Sequence, residues 1–481
     1  AAFAELTELL ASAAPDEPAA WAAFGVAERG RARSFRYALS QTTRSGDTGS
    51  LDASAEARDD MLSRVSAVFQ GDHEDDLADF VQRLDRLGAG PLGSFTARER
   101  SALHRRLASL DAVLVQYAAG PRGMFAFIVD GTRIRLARLG DREAIASVAA
   151  RLAEQLRDRE APAGHVRASA RELARHVWWP VAPFADAKRV LIAPDDTLHL
   201  VPFAVLPWSE ASDDRLLVHR VEIATVPSAL FVAGWSGGSR ASTAARDLAL
   251  VGDPVFRAAE WRRRCAGESA PTDSAAGSNA APRAWTEWMP SLPASRDEVL
   301  AIAALAQKPP RRQVETYLGC MATGDSVRRA ARENHAVLHI ATHGRIDARR
   351  PRLSALALTP DADEPEDASF GLLEILDLDL HARLVTLSAC DTFGGRLLRG
   401  EGVLGPAQAF LQAGASSVVA SHWRVEDETT ARFMRALYGR LLDENMSIAE
   451  ALRRTQLAEQ TVGTSYSWAA FALYGRPDTR I

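Results

Sequence analysis

The chain has 481 residues, 47% hydrophobic and 25% charged, with a formal net charge of −5. That length accommodates roughly two to four structural units with a sizeable core. The charge excludes nucleic acid as an obligatory partner, since no basic excess exists to displace counterions from phosphate, and no apolar run reaches the roughly 20 residues that span a bilayer.

No signal-peptide pattern opens the chain, and a first residue of Ala1 rather than Met predicts that an upstream piece is missing. Cys265, Cys320 and Cys390 are too few and too scattered for a disulfide framework. A reducing, cytoplasmic setting is the corresponding expectation.

Residues 1–42 are alanine-rich with a helical period broken at Ala14-Pro15-Asp16-Glu17-Pro18. They predict two helices, over about 2–13 and 18–40. The second carries Trp21, Phe24, Ala27, Ala32, Phe35 and Ala38 on one side, with Glu28, Arg29, Arg31 and Arg33 mostly elsewhere. Such a pair is either the end of a tetratricopeptide array, which needs further repeats or a neighbouring domain to cover its face, or a simple helical hairpin. Residues 53–70 and 73–87 read as helices. Thr96-Ala97-Arg98-Glu99 is a capping box opening a helix that runs to about Leu110. The 53–110 stretch is expected to form a helical arm beside a sheet domain.

From Asp111 the period changes. Strands are predicted over 112–118, 124–129, 133–139, 188–193, 218–226 and 247–252, with helices near 141–158, 167–178 and 227–235. This makes 111–290 a first α/β half, ending in a loop-like stretch at 262–285. Ser295-Arg296-Asp297-Glu298 reads as a second capping box, before a helix over 299–306. Strand 313–318, helix 325–333, strands 336–341, 355–359 and 383–389, helix 405–413, strand 416–421 and helices 427–443 and 447–460 fill the second half, 291–481. Strands alternating with helices predict a mostly parallel sheet covered on both faces.

Two buried runs in that half stop abruptly. Ala336-Val337-Leu338-His339-Ile340-Ala341 ends at Thr342-His343-Gly344, and Arg383-Leu384-Val385-Thr386-Leu387-Ser388-Ala389 ends at Cys390-Asp391-Thr392. Reactive groups of parallel sheets gather beyond the carboxyl ends of the strands. His343 and Cys390 are therefore candidates for a base and a thiol nucleophile, distant in sequence and adjacent in space. Taken singly, each is more often a packed residue after a buried strand. Gly344 lets a peptide approach closely, and its N–H with that of Cys390 could hold an oxyanion.

Other chemistries are weaker. Gly400-Glu401-Gly402-Val403-Leu404-Gly405 matches a dinucleotide pattern but follows its strand too late, so a rim loop explains it better. His422, after another strand, could join His343 and Cys390 around zinc, yet no Cys-x-x-Cys or His-Glu-x-x-His accompanies them. No phosphate-cradling Gly-x-x-x-x-Gly-Lys loop is present.

Ile340-Ala341-Thr342-His343-Gly344, Leu387-Ser388-Ala389-Cys390-Asp391-Thr392, the glycine run at 400–405 and Ser416-Ser417-Val418-Val419-Ala420-Ser421-His422-Trp423-Arg424-Val425-Glu426-Asp427 resemble the successive motifs of CHAT domains. These are caspase-like domains associated with tetratricopeptide repeats and related to separase. Val190-Leu191-Ile192-Ala193-Pro194-Asp195, Leu198-His199-Leu200-Val201-Pro202-Phe203, Leu250-Val251-Gly252-Asp253-Pro254 and Trp468-Ala469-Ala470-Phe471-Ala472-Leu473-Tyr474-Gly475 extend the likeness over about 111–481.

The resemblance implies a caspase–haemoglobinase fold and a cysteine endopeptidase that cuts a protein substrate with His343 and Cys390, without metal or organic cofactor. It makes 291–481 the catalytic half and gives Gly344 the oxyanion role. It puts Asp391, Trp423 and Asp427 at the substrate pocket, with Asp427 either selecting Arg or Lys or capping helix 427–443. His422 stands where an aliphatic residue is commoner, and the acidic 361–367 insert is a candidate lid or partner surface. A regulatory protein partner through residues 1–110 is expected. The competing reading is a proteolytically silent interaction module.

Overall fold

The structure is a computed structural model that describes residues 2–13, 16–29, 31, 95–235, 247–266, 286, 289–347, 353–360, 368–389, 396–398 and 402–481. The predicted helices at 53–70 and 73–87, the 361–367 insert, Cys390 and Asp391 lie outside the described residues.

The first elements are α1 (Ala2–Ala13), α2 (Glu17–Arg29), α3 (Ala97–Leu110), β1 (Ala112–Ala119), β2 (Gly123–Val129), β3 (Ile134–Asp141), α4 (Arg142–Arg157) and α5 (Ala163–Val177). Then come β4 (Arg189–Ala193), β5 (Glu222–Thr225), α6 (Ala229–Ala233), β6 (Leu248–Gly252), α7 (Ala258–Arg264), α8 (Pro293–Ala306), β7 (Val314–Leu318) and α9 (Gly324–Arg332). The last are β8 (Val337–Thr342), β9 (Leu384–Ala389), α10 (Pro406–Gln412), β10 (Ser417–Ser421), α11 (Asp427–Leu442), α12 (Ile448–Gln460) and β11 (Phe471–Gly475). The chain forms two compact units, 1–239 with 394–404 and 448–478, and 240–393 with 405–447 and 479–481. Residues 240–290, 394–404 and 448–478 thus fall across the boundary from where a cut at 290 puts them.

The first unit has strand order β3-β2-β1-β4-β5-β11. β1, β2 and β3 pair antiparallel, because turns of a few residues can only reverse the chain. β4 and β5 add in parallel, as does β11. α1 and α2 pack on β1 to β3 within this unit, so the helix pair has a partner face here. Phe24 stands 5.3 Å from Trp21, 5.2 Å from Phe95 and 5.5 Å from Phe127 between ring centres, a buried aromatic cluster pinning α2.

Two residues expected on the polar side of that helix are buried instead. The Glu28 carboxylate accepts the amides of Ala229 and Leu230, at 3.3 and 2.9 Å, at the start of α6. Arg31 donates to the Pro194 carbonyl at 2.7 Å and to the Tyr117 carbonyl. Buried charges are tolerable when ionic hydrogen bonds to orphan backbone groups replace water. The helical period alone does not reveal such partners. The strand predicted over 218–226 also needs correction. Leu217–Arg220 is a helical turn, held where His219 Nδ1 accepts the Leu216 amide, and only Glu222–Thr225 is strand. The 400–405 glycine run is partly strand, Gly402–Leu404 pairing antiparallel with Arg396–Leu398.

The second unit is wholly parallel in its main sheet, in the order β10-β9-β8-β6-β7. β8 and β9 are buried at every position, which is why both read as mostly apolar runs. Gly414, at φ 115°, turns α10 into β10; any Cβ there would collide with the Leu380 carbonyl oxygen.

The second capping box does not form. α8 begins two residues earlier, at Pro293, where a missing N–H costs nothing. Ser295 instead bonds the Leu292 carbonyl and the Asp253 amide, and Glu298 is buried. The reading of the cysteines also fails, since Cys265 and Cys320 form a disulfide between α7 and the 319–321 turn after β7. Sequence distance hid a Cα separation of 5.5 Å.

Candidate active site

β8 delivers His343 at its carboxyl end, and the next two residues, Gly344 and Arg345, pair antiparallel with Leu356 and Ala355. The His343 carbonyl accepts the Ala357 amide at 2.9 Å, while Thr342 Oγ1 donates to the Ala357 carbonyl. Backbone and neighbour thus fix where the imidazole starts.

The ring itself is held on two sides. His343 Nε2 lies 2.7 Å from the Pro290 carbonyl oxygen. A carbonyl only accepts, so Nε2 carries the proton and Nδ1 of the neutral ring is the basic nitrogen. The Phe256 ring meets His343 at 5.4 Å and 64°. Only 2% of the residue is exposed. Burial pushes its pKa below the ordinary imidazole value, and the nearby Arg424 cation lowers it further against the opposing pull of the Pro290 carbonyl. His343 is therefore poised as a neutral base at physiological pH.

β9 lies beside β8 in parallel, with Thr342 paired to Ala389. The next residues along the two strands are His343 and Cys390, of which Cys390 is not among the described residues.

Trp423 is buried, its ring centre 6.0 Å from that of His422, which is buried too. Asp427 is the first residue of α11, but Glu426 is its N-cap and makes no side-chain cap. The Asp427 carboxylate instead accepts the Ala294 amide at 2.9 Å, at the start of α8. Burial raises its pKa, as do the nearby acidic groups Glu298, Glu428 and Asp297, while the Ala294 hydrogen bond opposes them. The Pro290–Ala294 segment is thus bonded to His343 at one end and to Asp427 at the other.

Sequence reasoning missed Pro290 and Phe256, which act on His343 through a backbone oxygen and a ring edge. It also missed a fully buried pair, His339 Nε2 lying 2.8 Å from Glu298 Oε1, with the His339 ring against Tyr438. No local pattern marks either.

The sheet is mostly parallel and α/β, with a histidine beyond one strand end, and its likeness to known structures is to a caspase-like fold. The separase–securin complex of Saccharomyces cerevisiae aligns with 92% of this chain and 36% of its own at TM-score 0.51 and 9% identity, a likeness of fold alone. The CHAT domain model matches residues 167–476, and the chain belongs to that family. Tetratricopeptide repeat protein 28 of Homo sapiens is 25% identical over 338 residues, covering 61% of this chain. Its Mus musculus counterpart is 24% identical over the same length. The aligned region amounts to 12% of either relative.

Proposed function

We propose that the chain is a cysteine endopeptidase whose dyad is Cys390 and His343. The observation that carries this reading is the Pro290 carbonyl on His343 Nε2, which leaves Nδ1 as the proton acceptor. In sequence Cys390 directly follows Ala389, and His343 directly follows Thr342, the strand partner of Ala389. That closeness supports the dyad.

The thiol of Cys390 gives its proton to His343, and the thiolate attacks the scissile carbonyl carbon. N–H groups of Gly344 and Cys390 stabilise the oxyanion. His343 then protonates the leaving amine, and the acyl group stays on sulfur as a thioester. A water that loses its proton to His343 hydrolyses that thioester and restores the thiol. Trp423 walls the pocket and Asp427 favours a basic residue before the cut.

Regulation by a protein partner enters through residues 1–110, part of which packs on the first unit. Among the described residues no helix is long and apolar enough to cross a membrane. The Cys265–Cys320 disulfide removes the cysteine-based ground for a cytoplasmic assignment.

The test is hydrolysis of a fluorogenic peptide library by wild type, Cys390→Ala and His343→Ala, with and without candidate partners. Turnover lost in both variants is expected. Turnover retained in Cys390→Ala overturns the thiol mechanism, and none in wild type under any condition favours the silent module.

A further inference from the structure

At the opposite end of β8 from His343, three donor side chains converge. Glu315 lies on β7, Glu333 caps the carboxyl end of α9, and His335 follows two residues later, before β8 begins. One ligand atom from each lies within 4.8 Å of the others. The convergence is built by the turn. Asn334 takes the left-handed conformation at φ 57°, and the reversal tucks His335 beneath the end of α9.

His335 is 3% exposed. Its Nδ1 lies 3.2 Å from the Ala330 carbonyl oxygen, so Nδ1 carries the proton and the lone pair of the neutral ring is on Nε2. Nε2 is buried and has no hydrogen-bond partner; the nearest carboxylate oxygen, Glu315 Oε2, stands 3.8 Å away. That lone pair faces the carboxylates of Glu315 and Glu333. The surroundings match how metal ligands are oriented, with one imidazole nitrogen tied to a backbone carbonyl and a carboxylate held by an outer donor. That donor is Tyr317, whose hydroxyl gives its proton to Glu315 Oε2 at 2.6 Å. The negative end of α9 adds to the attraction. Glu315, with its side chain 32% exposed, is the edge through which an ion enters and water completes the coordination.

We propose that Glu315, Glu333 and His335 form a site for a divalent transition-metal ion, with Zn²⁺ the best match to one imidazole and two carboxylates. The ion would tie edge strand β7 to the turn that starts β8. The site uses no residue of the peptidase dyad, so neither proposal depends on the other.

The test uses the full chain, stripped with a chelator and dialysed against ZnCl₂ at neutral pH, with bound zinc counted by mass spectrometry and Kd measured by calorimetry. Wild type and Cys390→Ala should each bind one zinc per chain at this site. Glu315→Gln should weaken binding at least about tenfold, and His335→Ala should abolish it. Glu315→Gln sits at a partly exposed position, so it keeps the test decisive if His335→Ala does not fold. No zinc in wild type, equal affinity in wild type and Glu315→Gln, or loss in Cys390→Ala would overturn the proposal.

Discussion

The two ends of β8 carry the same chemistry in opposite settings. At the amino end, His335 gives Nδ1–H to the Ala330 carbonyl and turns Nε2 toward Glu315 and Glu333. At the carboxyl end, His343 gives Nε2–H to the Pro290 carbonyl, has Nδ1 as its basic nitrogen, and feels the Arg424 cation. Both rings are almost wholly buried, and in both a backbone oxygen selects the tautomer. What differs is the sign of the neighbouring charge. Carboxylates make the first imidazole a partner for a cation, whereas a cation and burial keep the second neutral and able to take a proton.

Exchanging the lesions breaks or keeps this contrast. His343→Ala should cost peptide hydrolysis a factor of about 10³ or more and leave zinc binding intact, while Glu315→Gln should do the reverse. Parallel kinetic and zinc titrations on the two variants read it directly, and a variant that loses both properties would show the ends to be coupled.

Midway along the strand, His339 and Glu298 form a pair with neither partner in contact with solvent. Removing one side leaves a buried polar group without its complement, so Glu298→Ala should destabilise by about 3 kcal/mol in urea denaturation. Replacing both by leucine should recover much of that loss. A single-variant loss below about 1 kcal/mol would mean water reaches the pair after truncation.

The carboxyl-end histidine also has a pH signature. Its folded pKa lies below the ordinary value of 6.5, so between the two the unfolded chain binds the proton and the folded chain does not. The stability it contributes is complete above about pH 6.5 and is lost as pH falls toward the folded value. His343→Gln should flatten that part of a stability-against-pH curve. An unchanged slope would mean that His343 ionises as freely in the fold as in the unfolded chain.

The smallest effect is expected at Asp427. Its raised pKa means that its contribution is present below about pH 3.8 and is lost as pH rises through the folded value. Asp427→Asn keeps an oxygen for the Ala294 amide and removes the repulsion, so the melting temperature at pH 7 should rise slightly. The same variant should weaken any preference for Arg or Lys before the cut in a positional-scanning library. An unchanged preference together with a lower melting temperature would return Asp427 to a purely structural role.

Much of this architecture is legible in the chain itself, and the reason is burial. β8 and β9 are wet on neither face, so their sequences are mostly apolar and their ends are sharp to within a residue. His343 stands out for the same reason, as the polar residue at which such a run stops. The partners of that histidine are another matter. Pro290 contributes a carbonyl that any residue possesses, so no side-chain pattern advertises it. Glu298 reads as the last letter of a capping box because the local motif is correct and a distant histidine overrides it. Asn334 is the instructive exception, since an asparagine after a helical run is a recognised stop signal. It would have placed His335 under the helix end.

The Cys265–Cys320 bond makes the stretch between them a covalent ring, entered and left at a single doorway. A peptide bond cut anywhere inside that ring opens the circle without releasing a fragment. Proteolysis there would leave one molecule under non-reducing conditions and two pieces once the sulfurs are reduced. The chain ahead of Cys265 and the chain beyond Cys320, including His343, would stay tethered through such a cut. The chain can therefore be nicked in that span and remain whole.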